Sequence, residues 1–585
     1  MSKIVETEVL IVGAGPAGAM ASLLLSQYGA KNLLINKFSS TSPGPRSHIT
    51  NQRTMEILRD MGLEEKAKSL STSQAYMADQ VYAESLVGEE FGRIRAWQNH
   101  PTRKAEHDLA SPTSVCDLPQ LYFEPMVIQS AMHRGSDVRF STEYLAHVQD
   151  AEGVTSTLRD LVSGAEFQVR SKYLIGADGA RSKVATDINL SFEGQMAEGE
   201  AGAINVEFTA DLSRYVDHRR GDMYMILQPG TGVRGNGMSV LRMVRPWSHW
   251  VAILGYDLAS GPPALDDVSA TAIVHKLIGT TEVEVKINAV SGWTHNRVYA
   301  TGNSLKRVFC VGDAVHRHAP LAGLGLNTSV QDSYNLCWKI AHVLKKHAGE
   351  GLLRSYEAER APIAKRIVEY ASDCRIPLRA MFEQLRLPMR PTVENFSACL
   401  ESLKAKTPEG AAMRASVQKA IEGTVAGFGG GYGVEMNQRY TSGAVAHDGS
   451  PDPGFPRDRA TYYEPSSRPG AHLPHAWLTH NQHRVSTLDL CGAGKFTLLT
   501  GLSGQAWIEA AEAASKELGL PIDVHVIGPG QKYQDVYGDF SKVSEIAEEG
   551  VLLVRPDMYI AWRAQSSSAE NLNGLLPALK GVLSR

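Results

Sequence analysis

A chain of 585 residues, 43% apolar and 21% charged, has the composition of a globular protein and a length sufficient for about three to four structural units. Its 59 basic and 63 acidic side chains leave a net charge of -4, so charge gives no reason to expect nucleic acid or an anionic membrane as partner. There is no run of apolar residues long enough to span a bilayer, and no apolar signal core near Met1; the expected location is the cytoplasm. Cys116, Cys310, Cys337, Cys374, Cys399 and Cys491 show no C-x-x-C spacing, which predicts reduced, buried thiols rather than disulfides or metal ligands.

The first predicted element is a buried strand over 9–12, followed by Gly13-Ala14-Gly15-Pro16-Ala17-Gly18 and a helix over 17–28. In this G-x-G-x-x-G context, Gly13 allows the tight turn, Gly15 lets a pyrophosphate approach the backbone, and Gly18 lets helix and strand pack closely. The helix N-terminus offers free N–H groups to an anion. A second parallel strand is predicted at 33–35. It is followed by Asn36, where a dinucleotide fold often has an acid for the ribose.

A polar loop over 39–46 leads to a helix over 52–61, and another helix is predicted at 123–133. Strands follow at 138–140, 144–148, 154–159 and 167–169, the last two as a hairpin turning at Ser163-Gly164. A short buried strand at 173–176 leads into Ala177-Asp178-Gly179. Extended segments at 204–208, 223–227, 238–243 and 250–254 predict an inserted antiparallel sheet.

A buried strand at 307–311 ends in Gly312-Asp313-Ala314, and helices are predicted at 327–347, 352–373 and 394–423, with a break around 387–392. Residues 428–431 have linker composition. The tail alternates strands at 485–490, 496–500, 522–527, 551–554 and 558–561 with helices at 505–518 and 539–547, the pattern of a small α/β unit.

Three motifs, at residues 13–18, at Asp178 and at Asp313, each place Gly or Asp at the carboxyl end of a predicted parallel strand, where open α/β sheets bind ligands. With Pro45-Arg46-Ser47-His48-Ile49-Thr50-Asn51-Gln52-Arg53 and Val434-Glu435-Met436-Asn437-Gln438-Arg439-Tyr440, the chain resembles the single-component flavoprotein aromatic hydroxylases, phenol-type branch.

The resemblance implies an α/β protein: a Rossmann-like FAD-binding domain (1–75, 106–195 and 299–430, the last with a helical segment), an inserted antiparallel-sheet substrate domain (76–105 and 196–298), and a thioredoxin-like C-terminal domain (431–585). It also implies FAD at Gly13, Gly15, Gly18, Arg46, Gln120, Asp178 and Asp313. The loop Pro320-Leu321-Ala322-Gly323-Leu324-Gly325-Leu326-Asn327 would lie at the isoalloxazine ring, with Pro320, Gly325, Leu326 and Asn327 as contacts. A helix entry of this kind suits the anionic edge of a reduced flavin.

His48 is the candidate base, because a neutral imidazole takes a phenol proton near pH 7. Asp222 and Arg242 are implied to project toward the catalytic region, Asp222 tuning His48 or lining the pocket, Arg242 meeting the flavin or the nicotinamide. Met225 stands where relatives carry an aromatic residue.

The expected activity is ortho-hydroxylation of a phenol with NADH or NADPH and O2, through a flavin C4a-hydroperoxide, in a homodimer or homotetramer. The alternatives are an epoxidase or a hydroxylase of a larger polycyclic phenol on the same scaffold, and a flavin-binding sensor. A halogenase is disfavoured by the absence of W-x-W-x-I-P. No second nucleotide fingerprint occurs, which implies transient docking of the nicotinamide cofactor on the FAD domain.

Overall fold

The computed structural model describes residues 4–77, 79–231, 237–388 and 391–585. Strand Val9–Val12 is apolar and buried throughout. It lies inside a six-stranded sheet of order Ser304–Leu305, Val308–Cys310, Tyr173–Gly176, Val9–Val12, Asn32–Ile35, Asp137–Arg139. Every pairing is parallel except the one at the Ser304–Leu305 edge. Val9 and Ile11 face a helical layer built from Pro16–Gln27, Gln120–His133 and Gly325–Leu344. Leu10 and Val12 face a different cover, the sheet of Val5–Glu6, Glu166–Ser171, Val154–Asp160 and Thr142–Gln149. A strand buried on both faces has no polar alternation, which is why the sequence run is continuous.

The inserted sheet has seven strands, in the order Lys286–Thr294, Ala201–Thr209, His249–Asp257, Met238–Arg245, Met223–Leu227, Asp79–Ala83, Glu90–Arg95. It is not purely antiparallel as expected: Met223–Leu227 pairs parallel with Asp79–Ala83. The parallel pair arises because Asp79–Ala83 comes from far earlier in the chain, so no hairpin fixes its direction. Helix Asp267–Ile278 covers one face through Phe208, Leu241 and Trp250. The other face meets an apolar cluster that includes Ile49, Trp97, Met225 and Met381.

Several expected elements are corrected. The single helix over 394–423 is two, Val393–Lys404 and Pro408–Gly423. Thr407 caps the second by accepting from Gly410 N–H, and Pro408 starts it, the ordinary signature of a new helix start. Of the break at 387–392, residues 389–390 lie outside the described residues. The expected linker at 428–431 is packed instead. The Phe428 carbonyl accepts from Trp97 N–H at 2.9 Å. Gly429, at φ 86°, lies so close to Trp97 that a Cβ there would sit 2.8 Å from its Cα.

In the tail, the strand expected over 485–490 stops at Ser486, whose hydroxyl caps the turn Thr487–Leu490 by accepting from Leu488 N–H. The final strand is Ile560–Ala564, displaced from 558–561 because Met558 takes φ 65° in a turn. An unanticipated helix, Ala569–Val582, carries Pro577 inside it; the proline hid the helical pattern. The four-stranded tail sheet orders Ile522–Ile527, Phe496–Gly501, Val551–Val554, Ile560–Ala564. All six cysteines are free and buried, as expected.

Candidate active site

The glycine turn is shaped for a pyrophosphate. A Cβ on Gly13 would lie 2.3 Å from the Ala177 carbonyl oxygen, and one on Gly18 1.9 Å from the Gly13 oxygen. Those two glycines are therefore required by packing. Gly15 differs, since its nearest neighbour would be Glu124 Oε1 at 3.9 Å. Helix Pro16–Gln27 has neither a side-chain cap nor an acid in its first turn, leaving its N–H groups for an anion. These features fit the pyrophosphate of FAD.

Two expected cofactor residues have side chains bonded within the protein. The Asp178 carboxylate accepts from Ser182 Oγ and from the backbone N–H of Lys183 and Val184, at 2.7 and 3.1 Å for the last two. Ser182 in turn caps the helix Lys183–Asp187, accepting from Ala185 N–H. The side chain of Asn327 is also committed within the protein, donating to the carbonyls of Ile49 and Gly323 and accepting from Asn51 N–H.

Gln120 donates to Glu124 Oε1 at 2.6 Å, and Glu124 Oε2 accepts from Ser42 N–H, so both line the polar loop that carries the exposed Arg46. Asn36 donates to the Ser40 carbonyl. Asp313 and Pro320 are exposed, Gly325 is half-buried and Leu326 is buried. Ala322 and Gly323 both take left-handed conformations, at φ 67° and 65°. The pair bends the chain sharply into helix Gly325–Leu344, which has no side-chain cap. The resulting open N–H groups suit the anionic edge of a flavin.

His48 lies beside this loop: a Cβ on Gly323 would be 2.9 Å from Ile49 Cβ. The His48 ring is almost wholly buried. Its Nε2 is 3.1 Å from the Pro45 carbonyl oxygen and its Nδ1 is 3.4 Å from Asp117 Oδ1. Burial holds this imidazole below its ordinary 6.5, Arg242 adds to the effect, and Asp117 opposes it. Arg242 Nη2 donates to Asp117 Oδ2 at 2.9 Å and stands 3.9 Å from Asp222 Oδ2. Asp222 accepts from Gln80 Nε2 at 2.9 Å and Trp97 Nε1 at 3.1 Å. Burial pushes its carboxyl up to about 7, with Arg242 opposing and Asp117 assisting.

The three expected catalytic residues thus belong to one buried cluster, but not as expected. Arg242 lies within strand Met238–Arg245, rather than ending it, and is held by carboxylates. Asp222 reaches His48 through Arg242 and Asp117, not directly. Asp117, which joins them, was missed. It sits in the two-residue strand Cys116–Asp117, paired with Ile49–Thr50, too short to show a sequence period.

A family model described as FAD binding domain matches residues 6–371, and one described as aromatic-ring hydroxylase, C-terminal, matches residues 466–585. The chain belongs to the FAD-dependent aromatic-ring hydroxylases. This hydroxylase is 50% identical to a 2,4-dichlorophenol 6-monooxygenase of Delftia acidovorans, covering 99% of each chain. It is 44% identical to a phenol 2-monooxygenase of a Pseudomonas species, covering 99% of this chain and 93% of the relative. Its fold matches the flavin-dependent monooxygenase PieE, solved with FAD and substrate, at a TM-score of 0.95 and 39% identity over 99% of each chain. The protein is an FAD-dependent monooxygenase with an α/β fold. Among the described residues no helix is long and apolar enough to cross a membrane.

Proposed function

We propose that this monooxygenase hydroxylates a substituted phenol ortho to its hydroxyl, consuming O2 and NADH or NADPH and yielding a catechol. The observation that carries this reading is His48, a buried imidazole beside the flavin loop whose Nδ1 stands 3.4 Å from Asp117 Oδ1. A neutral imidazole takes or shares a phenol proton near pH 7. The names of the relatives at 44 and 50% identity support the substrate class. Relatives named for tetracenomycin A2 and aklavinone stand at 31 and 30%, so the larger substrate has less support.

FAD, when bound, supplies electron transfer from the nicotinamide and activation of O2. The backbone at Gly15 and the loop after Pro320 would hold it. His48 takes the phenol proton, leaving a phenolate whose ring is richer in electrons at the ortho carbon. Ile49, Trp97, Met225 and Met381 belong to the apolar cluster that keeps water from this step. The nicotinamide docks transiently on the FAD domain, and the enzyme works in the cytoplasm as a homodimer or homotetramer.

The test is a phenol panel scored for NADH and NADPH oxidation and for product mass. Stimulated oxidation with a product one oxygen heavier supports the reading. Oxidation with no oxygenated product from any simple phenol overturns it. Light scattering at micromolar concentration tests the assembly, and a monomer refutes that part.

A further inference from the structure

The turn that carries Asp313 is held from behind by a buried chain of charges. Gly312 takes φ 63° just beyond strand Val308–Cys310. Its N–H donates to Asp332 Oδ2 at 3.1 Å, and His316 Nε2 donates to the same oxygen at 2.9 Å, since an ionised carboxylate only accepts. Asp332, on helix Gly325–Leu344, therefore ties down the chain on both sides of Asp313. Asp313 itself is exposed, and its carbonyl accepts from Arg317 Nε at 3.0 Å.

The other Asp332 oxygen, Oδ1, accepts from Arg360 Nε at 2.8 Å, and Arg360 lies on helix Arg354–Asp373. Burial by itself would raise the Asp332 carboxyl, but Arg360 and then His316 hold it below the ordinary carboxylate range. The far end of the guanidinium is aimed by residues of the C-terminal part of the chain. Arg360 Nη1 donates to Gln438 Oε1 at 2.8 Å and to the Tyr440 hydroxyl at 3.1 Å, while Nη2 has no partner. Tyr440 is in turn locked to the C-terminal unit. Its ring stacks on Tyr559 with centroids 4.1 Å apart, and its N–H donates to the Gly470 carbonyl at 2.8 Å. His316, Asp332, Arg360, Gln438 and Tyr440 are all buried. Water cannot replace a partner lost from such a chain, so a change at one end is felt at the other.

We propose that Gln438 and Tyr440 are positioning residues for FAD: they aim Arg360, which holds Asp332 against the Gly312 turn, so that docking of the C-terminal unit sets the affinity of the FAD domain for its cofactor. Neither residue has to touch the flavin for this. The coupling is reciprocal, and bound FAD tightens the docking of the C-terminal unit by the same factor. This rests on the reading of Asp313 as a cofactor contact.

The test dilutes the FAD-loaded protein and follows released flavin by its fluorescence, giving the dissociation constant of FAD in the parent, Tyr440→Phe, Asp313→Ala and the double variant. Tyr440→Phe keeps the ring against Tyr559 and removes only the hydroxyl. It should weaken FAD binding about fivefold or more. Where Asp313 is already Ala, the same substitution should weaken it less than about twofold, because both act through one turn. Gln438→Leu, which removes the other acceptor of Arg360, is put through the same cycle and stands in if Tyr440→Phe fails to fold. Parental affinity in both Tyr440→Phe and Gln438→Leu, with weakened binding in Asp313→Ala, overturns the coupling alone. Parental affinity in Asp313→Ala overturns the reading of Asp313. Equal weakening with and without the Asp313 carboxylate makes Tyr440 merely structural and overturns the proposal.

Discussion

At the scale of single residues, the site is a set of charges whose burial sets their protonation. His48 is held below 6.5 by burial and Arg242, so it is neutral, and able to act as a base, further into acid than an exposed imidazole. The acid limb of hydroxylation should therefore fall below pH 6.5, lower than the ordinary histidine range. His48→Ala should keep its FAD absorbance and lose about 10²–10⁴-fold in hydroxylation rate, with partial recovery at high pH where phenols ionise unaided. Retained activity at neutral pH would remove the catalytic role.

Asp222 gives a prediction of opposite character. Its carboxyl is raised from 3.8 to about 7 by burial, so the folded state holds its proton more tightly than the unfolded state. That contribution is complete below about 4 and is lost as pH rises through about 7. Asp222→Asn cannot ionise. The melting temperature of the variant relative to the parent should rise across this window, and a difference flat with pH would show that the carboxyl does not titrate there.

At the scale of elements, the strand–turn–helix unit separates packing from binding. Gly13 and Gly18 are closed by backbone at 2.3 and 1.9 Å, whereas Gly15 opens outward. Gly15→Val should yield folded protein without flavin, seen as an unchanged far-ultraviolet spectrum and a missing yellow colour. Gly18→Val should fail to accumulate as folded protein, because its contact is to backbone that cannot yield. A yellow Gly15→Val protein would mean that the pyrophosphate binds elsewhere.

At the scale of the whole molecule, the C-terminal unit is fused to the FAD domain. Trp338 packs edge-on to Phe496 with centroids 5.8 Å apart, and one apolar core runs through both. Arg555 donates to both Glu359 oxygens, at 2.6 and 2.9 Å, and to Asp557 at 2.6 Å, while Lys339 also reaches Glu359. Removing one partner from such a buried network leaves charge unpaired and costs about 3–5 kcal/mol. Arg555→Ala should lower the denaturation midpoint accordingly. A loss within about 0.5 kcal/mol, the range of an ordinary surface change, would refute this role.

The sequence by itself determined the parallel core and the glycine turn, since both depend on residues adjacent in the chain: an unbroken apolar strand, small residues at a turn, a helix start. It also placed His48 in a motif specific enough to suggest a base. Only the tertiary structure decided what surrounds that base. Asp117 and Arg242 lie on strands far apart in sequence and Asp222 just before a third, and their contacts depend on sheet pairing and on burial, which raises one carboxyl and depresses an imidazole. The roles of Asp178 and Asn327 turned on the same physics: a polar side chain bonds whichever partner the packed chain presents, and here those partners are Lys183, Val184, Ile49 and Asn51. Neighbouring residues fix local conformation, whereas side-chain partnership is fixed only when distant segments are packed together and water is gone.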